Sequence, residues 1–198
     1  MNNFYDVVKE RRSIYTITDE SVISDDKIIE ITENALLHTP SPFNSQSTRV
    51  AVLFGKAHKT FWNMVAHKLR EIVPADKFSE TEKRINSFSA GYGTILYFED
   101  TEVVKDLQNR FPSYKDNFPV WSEQTNAIMQ YLVWLSFTAE GMGASLQHYN
   151  PIVDDKLYAE FSIPHHWKLI AQMPFGKSTA PALPKDSLPV KDRVLIFK

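Results

Sequence analysis

Apolar and polar positions recur along the chain in two patterns, one typical of helices and one typical of strands. Apolar residues return every three or four positions in the segments that predict helices, which are 3–11, 25–38, 58–73, a short segment opening at 79–82, 101–111, 121–141 and 154–161. Runs rich in β-branched and aromatic residues predict strands at 49–55, 94–99 and 167–175. Helices and strands do not alternate strictly, so we expect the α+β class.

Capping residues predict where three of these helices begin. Ser24 precedes the segment 25–38 and can accept a hydrogen bond from its first turn, where two aspartates match the positive end of the helix dipole. The run Ser-Glu-Thr-Glu at 79–82 matches a capping box. Thr101 is the predicted cap of the helix that follows it.

The longest helix, 121–141, is apolar on every side. Leu132 and Leu135 lie on one side, while Val133 and Phe137 fill the other. A helix without a polar face is typically buried all round. In a chain of this size, we expect a partner subunit to cover part of it.

The C-terminal segment is a polar arm with an apolar end. It contains Pro181, Pro184 and Pro189, and it ends in the strand-like run 194–197. An apolar strand on a long arm needs a strand to pair with. We expect that partner in the sheet of a second protomer.

Composition limits the classes of function. The chain has 198 residues, 43% hydrophobic and 23% charged, which is typical of one globular domain spanning 1–198. A net charge of -2 gives no strong attraction to nucleic acid or acidic membranes, and no apolar run approaches the roughly 20 residues of a membrane span. The absence of cysteine excludes disulfides and thiolate chemistry. No signal-peptide pattern opens the sequence, so we expect a cytoplasmic location.

The segment Arg11-Arg12-Ser13 is a candidate phosphate site. Two guanidiniums and a hydroxyl form the donor set that a phosphate prefers. The alternative is that both arginines only complement the C-terminal end of a helix dipole and face water.

The segment from Ser41 to Gln46 is a candidate for contact with a ring edge. Pro40 and Pro42 stop the preceding helix, so Asn44 and Gln46 fall in a loop. Side-chain amides both donate and accept hydrogen bonds, which suits a heterocycle. The alternative is an ordinary turn.

These two segments, with Gly143 to Pro151 and the basic end of the chain, resemble the nitroreductase family of FMN-dependent oxidoreductases, and its compact branch in particular. The resemblance spans nearly the whole chain and depends on the order and spacing of the motifs. It implies a central, mostly antiparallel sheet flanked by helices, in an intertwined homodimer with a C-terminal arm. The flavin is then expected at the dimer interface, in contact with both subunits.

The resemblance also assigns residues to the flavin. They are Arg11, Arg12, Ser13, Tyr15, Ser41, Pro42, Phe43, Asn44, Gln46, Leu146, Gln147, His148, Lys191 and Arg193. The backbone of 146–148 is expected beside flavin N5, so the chemistry would be carried by the flavin and not by a catalytic side chain. The basic pair at 191 and 193 is otherwise a solvated tail, and His148 is either an acid or a histidine that is simply hydrogen-bonded.

The implied reaction is a ping-pong transfer of two electrons from NAD(P)H to a small aromatic acceptor, a nitroaromatic or a quinone. Tyr114, Phe118 and Trp121 could shape the acceptor pocket, or they could be core residues. No zinc-site spacing, dinucleotide fingerprint or interleaved basic and aromatic pattern occurs, so we expect no metal, no FAD-type fold and no nucleic acid partner.

Position 15 departs from the family pattern. The family often has a basic residue there, near the pyrimidine side of the flavin, whereas this chain has Tyr15. A cation stabilises the negative charge of reduced flavin, so either another residue such as Arg49 compensates or the reduction potential is lower. This departure favours a second hypothesis, a flavin-binding stress or lipid-linked regulatory protein with incidental reductase activity. A third hypothesis is an interaction module that binds no cofactor.

Overall fold

Seven helices and five strands make up the computed structural model, which describes residues 3–198. The helices are α1 Phe4–Glu10, α2 Asp25–His38, α3 Gly55–Ile72, α4 Phe78–Ser89, α5 Thr101–Arg110, α6 Phe118–Ala139 and α7 Asp154–Phe161. The strands are β1 Ile17–Thr18, β2 Thr48–Phe54, β3 Gly93–Asp100, β4 Met142–Ala144 and β5 Trp167–Ser178. The predicted α+β class is confirmed.

The strands form one antiparallel sheet. Its order is β1-β5-β3-β2, and β4 pairs with β5. All the pairings are antiparallel. The short strand β4 is not predicted from the sequence, because its three residues pair only with a strand about thirty positions later in the chain. Pairing with β5 brings the segment after α6 next to the segment after α1.

Strand β3 is buried along its whole length because helices cover both faces of the sheet. Ile95 and Tyr97 point into one core with α2 and α6. Leu96 and Phe98 alternate with them and point into a second core with α3, α4 and α7. This alternation is the period-two pattern of a strand, and each such side chain contributes about 1.5–3 kcal/mol when fully buried.

Two predicted helix caps are wrong. Helix α4 begins at Phe78, and Lys77 before it makes no side-chain cap, so the capping box at 79–82 does not form. Helix α5 is capped by Asp100, which accepts from the amides of Glu102 at 3.1 Å and Val103 at 3.4 Å. Thr101 instead donates its hydroxyl to the backbone of His166 at 2.9 Å. Packing of the buried Phe78 and a better-placed carboxylate decide both starts.

Helix α6 is not buried on all sides within the protomer. Met129, Val133 and Phe137 lie in the core, whereas Ile128 and Tyr131 are 47% and 41% exposed. Burial of the outer face by a partner remains a prediction. Among residues 3–198, no helix is both long and apolar enough to cross a membrane.

The C-terminal arm follows β5. Within the protomer the predicted strand at 194–197 makes no ladder, and its side chains are 51% to 89% exposed. A short 3-10 turn at Val190–Asp192 is the only regular element described beyond Ser178. The pairing of the segment 194–197 with a second copy of the chain therefore remains a prediction.

Candidate cofactor site

The end of α1 presents the two arginines of the candidate phosphate site. The guanidinium of Arg11 lies 4.3 Å from the ring centroid of Trp134 and 5.9 Å from that of Tyr131, so aromatic faces of α6 hold it in place. Its Nε is buried without a hydrogen-bond partner in the described chain. Arg12 donates to the carbonyl of Leu183 in the arm. Within residues 3–198, neither arginine is paired with a carboxylate.

A cavity of about 930 Å³ is lined in part by Leu183, the arm residue that Arg12 contacts, although neither Arg11 nor Arg12 lines it. Tyr15 and Gln147, both predicted to contact the cofactor, line it together. They are brought together by β4, because the amide of Ile14 donates to the carbonyl of Ala144 at 2.9 Å. The volume lies within the range of cofactor and ligand sites.

Helix α4 forms the opposite wall of this cavity. Lys83, Arg84 and Phe88 line it from that helix, and Tyr149 from the loop after β4. The Phe88 ring centroid is 6.3 Å from that of Tyr15 and 6.2 Å from that of Tyr149. Sequence reasoning missed this wall; the only available signal was the spacing of four between positions 84 and 88, which puts both side chains on one helix face.

His58 supports that wall from below. It is fully buried, with Nδ1 2.8 Å from the Thr94 hydroxyl and Nε2 3.1 Å from the carbonyl of Ser89, the last residue of α4. Because a carbonyl only accepts, we assign the proton to Nε2. Burial lowers the pKa of His58 to about 4. The neutral ring therefore ties α3 to the end of α4.

The backbone segment 146–148 runs alongside β5. Gln147 pairs with Gln172 through two backbone bonds of 2.7 and 2.9 Å. The amides of Leu146 and His148 on either side have no hydrogen-bond partner among the described residues. The amide of Gln147 is thus occupied, and the two flanking amides are available to a ligand. The side chain of His148 is exposed.

The loop from Ser41 to Gln46 lies in a different place and has an unusual backbone. Pro42–Asn44 form a 3-10 turn within the predicted loop. Phe43, Asn44 and Gln46 have φ values of 55°, 50° and 49°, in the left-handed region that non-glycine residues rarely adopt. The amide of Gln46 donates to the hydroxyl of Ser41 at 3.0 Å, which closes the loop on itself.

A buried carboxylate lies beneath the loop. Glu99 is 2% exposed and accepts from the hydroxyls of Ser47 and Thr48, both at 2.6 Å, and from the amide of Asn126 on α6 at 2.8 Å. Burial raises the pKa of Glu99, and these hydrogen bonds oppose the rise. Sequence reasoning missed this network, since its members come from three distant segments.

The guanidinium of Arg49 is already hydrogen-bonded within the loop region. It donates to the carbonyl of Gln46 at 2.6 Å and to the carboxylate of Asp100 at 2.9 Å. With Ser41 and Gln46 it lines a second cavity of about 450 Å³. Asp100 also has Glu102 and His166 near it, with candidate ligand atoms within 4.8 Å of one another. Because Asp100 already caps α5 and pairs with an arginine, we infer no metal site there.

The predicted acceptor residues lie beside the loop. The ring of Phe43 is 6.1 Å from Tyr114 and 5.5 Å from Phe118, and Trp121 is 5.4 Å from Phe118. Phe118 is also buried in a small core with Val104 and Leu107. Their role in an acceptor pocket remains a prediction.

Lys191 and Arg193 form the basic pair of the arm. Among the described residues, they make no contact with Arg11, Arg12 or the loop. Lys191 is in the 3-10 turn and is exposed. Arg193 donates to the carbonyl of Leu188 at 3.0 Å. Apart from this pair, the candidate cofactor residues form two groups within one protomer. One lies around Arg11, Tyr15 and Gln147, and the other is the loop.

A model of the nitroreductase family matches residues 8–177, a span that contains both groups. The chain belongs to the nitroreductase family. The match confirms the resemblance seen in the sequence motifs. It also makes an oxidoreductase activity the expected class of function.

Relatives of known name agree with this assignment. The chain is 32% identical over 189 residues to the putative nitroreductase HBN1 of Saccharomyces cerevisiae, covering 94% of this chain and 93% of that protein. The solved structure of nitroreductase CinD from Lactococcus lactis in complex with nicotinic acid superposes with a TM-score of 0.92 at 39% identity, covering 99% and 100% of the two chains. A putative nitroreductase from Desulfovibrio desulfuricans in complex with FMN shares the fold, with a TM-score of 0.73 at 18% identity and coverage of 100% and 98%.

Proposed function

We propose that this nitroreductase-family chain is an FMN-dependent oxidoreductase. The observation that carries the proposal is the cavity lined by Tyr15, Gln147 and Leu183. Its volume fits a flat cofactor, and Arg12 donates to the carbonyl of Leu183 in its lining. The donor set therefore fits a phosphate-bearing aromatic cofactor such as FMN.

The phosphate is proposed to bind Arg11, Arg12 and Ser13. Stacking on Trp134 fixes the guanidinium plane of Arg11, so less rotamer entropy is lost when it binds a phosphate. Lys191 and Arg193 are proposed to complete the clamp from the arm. Arg12 already contacts the arm at Leu183, which supports a role for the arm near the phosphate.

The complete site is proposed to need two copies of the chain. Asn44 and Gln46 are exposed in a preformed loop that shares no described contact with Tyr15 or Gln147. Gln46 lines a different cavity. A homodimer that sets the loop of one subunit against the Tyr15 cavity of the other would bring both groups to one cofactor.

The arm supplies a route to such a dimer. Strand β2 pairs with β3 on one side only, so its outer edge has free backbone groups in the protomer. The exposed apolar residues 194–197 are proposed to pair with an edge of this kind in a second copy. The exposed Ile128 and Tyr131 of α6 are proposed to be covered by the same partner.

FMN, when bound, would accept two electrons from NAD(P)H and pass them to a nitroaromatic or quinone acceptor. The chain's own residues would bind and orient. The free amides of Leu146 and His148 would face the ring, and Tyr149 and Phe88 would exclude water from one end of the cavity. The aromatic group around Tyr114 is proposed to shape the acceptor pocket.

The test is the absorption spectrum of the purified protein, followed by anaerobic addition of NADH or NADPH. We expect flavin bands that bleach with donor and return with a nitroaromatic or a quinone. Flavin that binds and does not bleach would favour the regulatory function. A colourless protein that takes up no added FMN would contradict both and leave the family likeness as fold alone.

A further inference from the structure

The residue at position 15 leaves one requirement of flavin chemistry unmet. Reduction by two electrons and one proton leaves the flavin ring with one negative charge, and a nearby cation favours that form. Tyr15 lines the cavity with a hydroxyl and no charge. A different residue must then supply the cation, or the reduced form is less favoured.

Arg49 does not supply it in this structure. Its guanidinium is 2.9 Å from Asp100, which neutralises it, and it also donates to the backbone of Gln46. Within one protomer it lines the cavity beside the loop, and in a dimer that brings this loop to the Tyr15 cavity of the partner its charge would still be paired with Asp100.

The cavity of Tyr15 contains three charged side chains, all on α4. Lys83 pairs with Glu80 at 2.9 Å, so these two charges cancel. The third, Arg84, has neither a carboxylate within 4 Å nor a side-chain hydrogen bond in the described chain. The lining therefore carries a net positive charge that is located on Arg84.

Arg84 lies on the wall of the cavity that α4 forms. Phe88 lies four residues later on the same helix face, about 6 Å along the axis, and its ring is 6.3 Å from that of Tyr15. Burial raises the pKa of Tyr149, and the charge of Arg84 opposes that rise, so the guanidinium lies near this phenol as well. An arginine side chain has the length to reach over one helical turn.

On the footing of the cofactor assignment above, we propose that Arg84 is the cation that stabilises reduced FMN, in place of the basic residue that position 15 lacks. The guanidinium shares one cavity with Tyr15 and Gln147 and is the cation there without a described carboxylate partner. It acts on the ring by charge and takes no part in the transfer of electrons. Its effect is a preference for the reduced over the oxidised cofactor.

The test is the flavin midpoint potential, measured by anaerobic equilibration with a redox dye in the FMN-loaded protein. We expect Arg84→Gln to weaken binding of reduced FMN about tenfold relative to oxidised FMN, which lowers a two-electron potential by about 30 mV. Arg84→Lys keeps the charge and is expected to recover most of that difference. Arg84 is exposed, so both variants are expected to fold.

Two further variants make the result specific. Arg110→Gln removes an exposed arginine paired with Asp106 on α5, and it is expected to leave the potential unchanged. Arg49→Gln tests the competing cation. An unchanged potential in Arg84→Gln, or a shift that appears in Arg49→Gln instead, would overturn the role of Arg84.

Direct binding separates this proposal from the cofactor assignment. Oxidised and reduced FMN are titrated anaerobically into the apoprotein, so the readout does not depend on turnover. A selective loss of reduced FMN in Arg84→Gln supports the proposal, and an equal loss of both forms overturns it. Failure of the unsubstituted protein to bind FMN would instead remove the cofactor assignment itself, and the role of Arg84 with it.

Discussion

The two groups of candidate cofactor residues differ in how their polar groups are satisfied. Around Tyr15, a cavity is lined by Arg84, a cation without a carboxylate partner among the described residues, and by Leu183, which Arg12 contacts. The loop from Ser41 to Gln46 is instead satisfied internally: the amide of Gln46 donates to Ser41, and the nearby Arg49 is ion-paired with Asp100. Glu99 accepts from Ser47, directly after the loop. The first group is suited to bind charge that a ligand brings. The second presents a shape formed in advance.

The largest effect is expected from breaking the support of the loop. Glu99→Ala leaves the hydroxyls of Ser47 and Thr48 and the amide of Asn126 without their buried acceptor, which is expected to cost about 3 kcal/mol of unfolding free energy. Urea denaturation followed by circular dichroism measures it. Glu102→Ala is the control, because Glu102 is exposed and its loss is expected to cost less than about 1 kcal/mol. Equal stability of the two variants would contradict the supporting role.

The next effect is on the other group and is measured as cofactor affinity. Replacement of Arg11 and Arg12 by alanine is expected to weaken FMN binding about 100-fold, or about 3 kcal/mol, because charge-assisted bonds to the phosphate are lost. Fluorescence titration of the apoprotein with FMN measures it. Lys9→Ala, at the exposed end of the same helix, is the control with unchanged affinity. Unchanged affinity in the double variant would remove the phosphate assignment.

Lowering the pH is expected to change the stability of the fold in opposite directions through His58, which supports α4, and Glu99, which lies beneath the loop. The folded pKa of His58, about 4, lies below its unfolded value of 6.5, so stability is present above pH 6.5 and falls as pH drops towards 4, by about 3 kcal/mol. The raised pKa of Glu99 acts the other way: its contribution is fullest at low pH and is lost as pH rises through the folded pKa. Urea titrations between pH 4 and 7 measure both. A His58→Gln variant that keeps the full acid sensitivity would contradict the assignment to His58.

The smallest effect concerns the loop backbone. Gln46 is exposed with φ of 49°, so Gln46→Val places a β-branched residue in the left-handed region and is expected to cost about 1 kcal/mol. Gln46→Gly, which adopts this region freely, is expected to be no less stable than the parent chain. Thermal unfolding compares the two. A valine variant as stable as the glycine variant would mean that the loop does not hold this conformation.

Local patterns predicted much of the fold. The strands β2, β3 and β5 and the long helix α6 follow from runs of apolar residues, and Ser24 caps α2 as its sequence indicates. The cap of α5 was misassigned by one residue, because Asp100 and Thr101 are both good caps and the contact of Thr101 with the β5 region decides between them.

The candidate site was predicted less completely. Arg11 and Gln46 stand in recognisable motifs, but Arg84 and Glu99 do not. Arg84 is on α4, whose end is tied to α3 through His58, and Glu99 accepts a hydrogen bond from Asn126 on the distant α6. Contacts between segments so far apart in the chain leave no periodic signal in the sequence.

The most direct test of the account is whether one cofactor site is built from both groups on different subunits. Two variants are made, one with Arg11→Ala and Arg12→Ala, the other with Asn44→Gly and Gln46→Gly, since glycine keeps the positive φ of the loop while removing its side chains. Each variant alone is expected to bind FMN weakly. After the two are mixed, unfolded and refolded together, mixed dimers are expected to regain one tight FMN site per dimer, because one subunit retains the arginines and the other retains the loop. No recovery of tight binding in isolated mixed dimers would contradict a site shared between subunits.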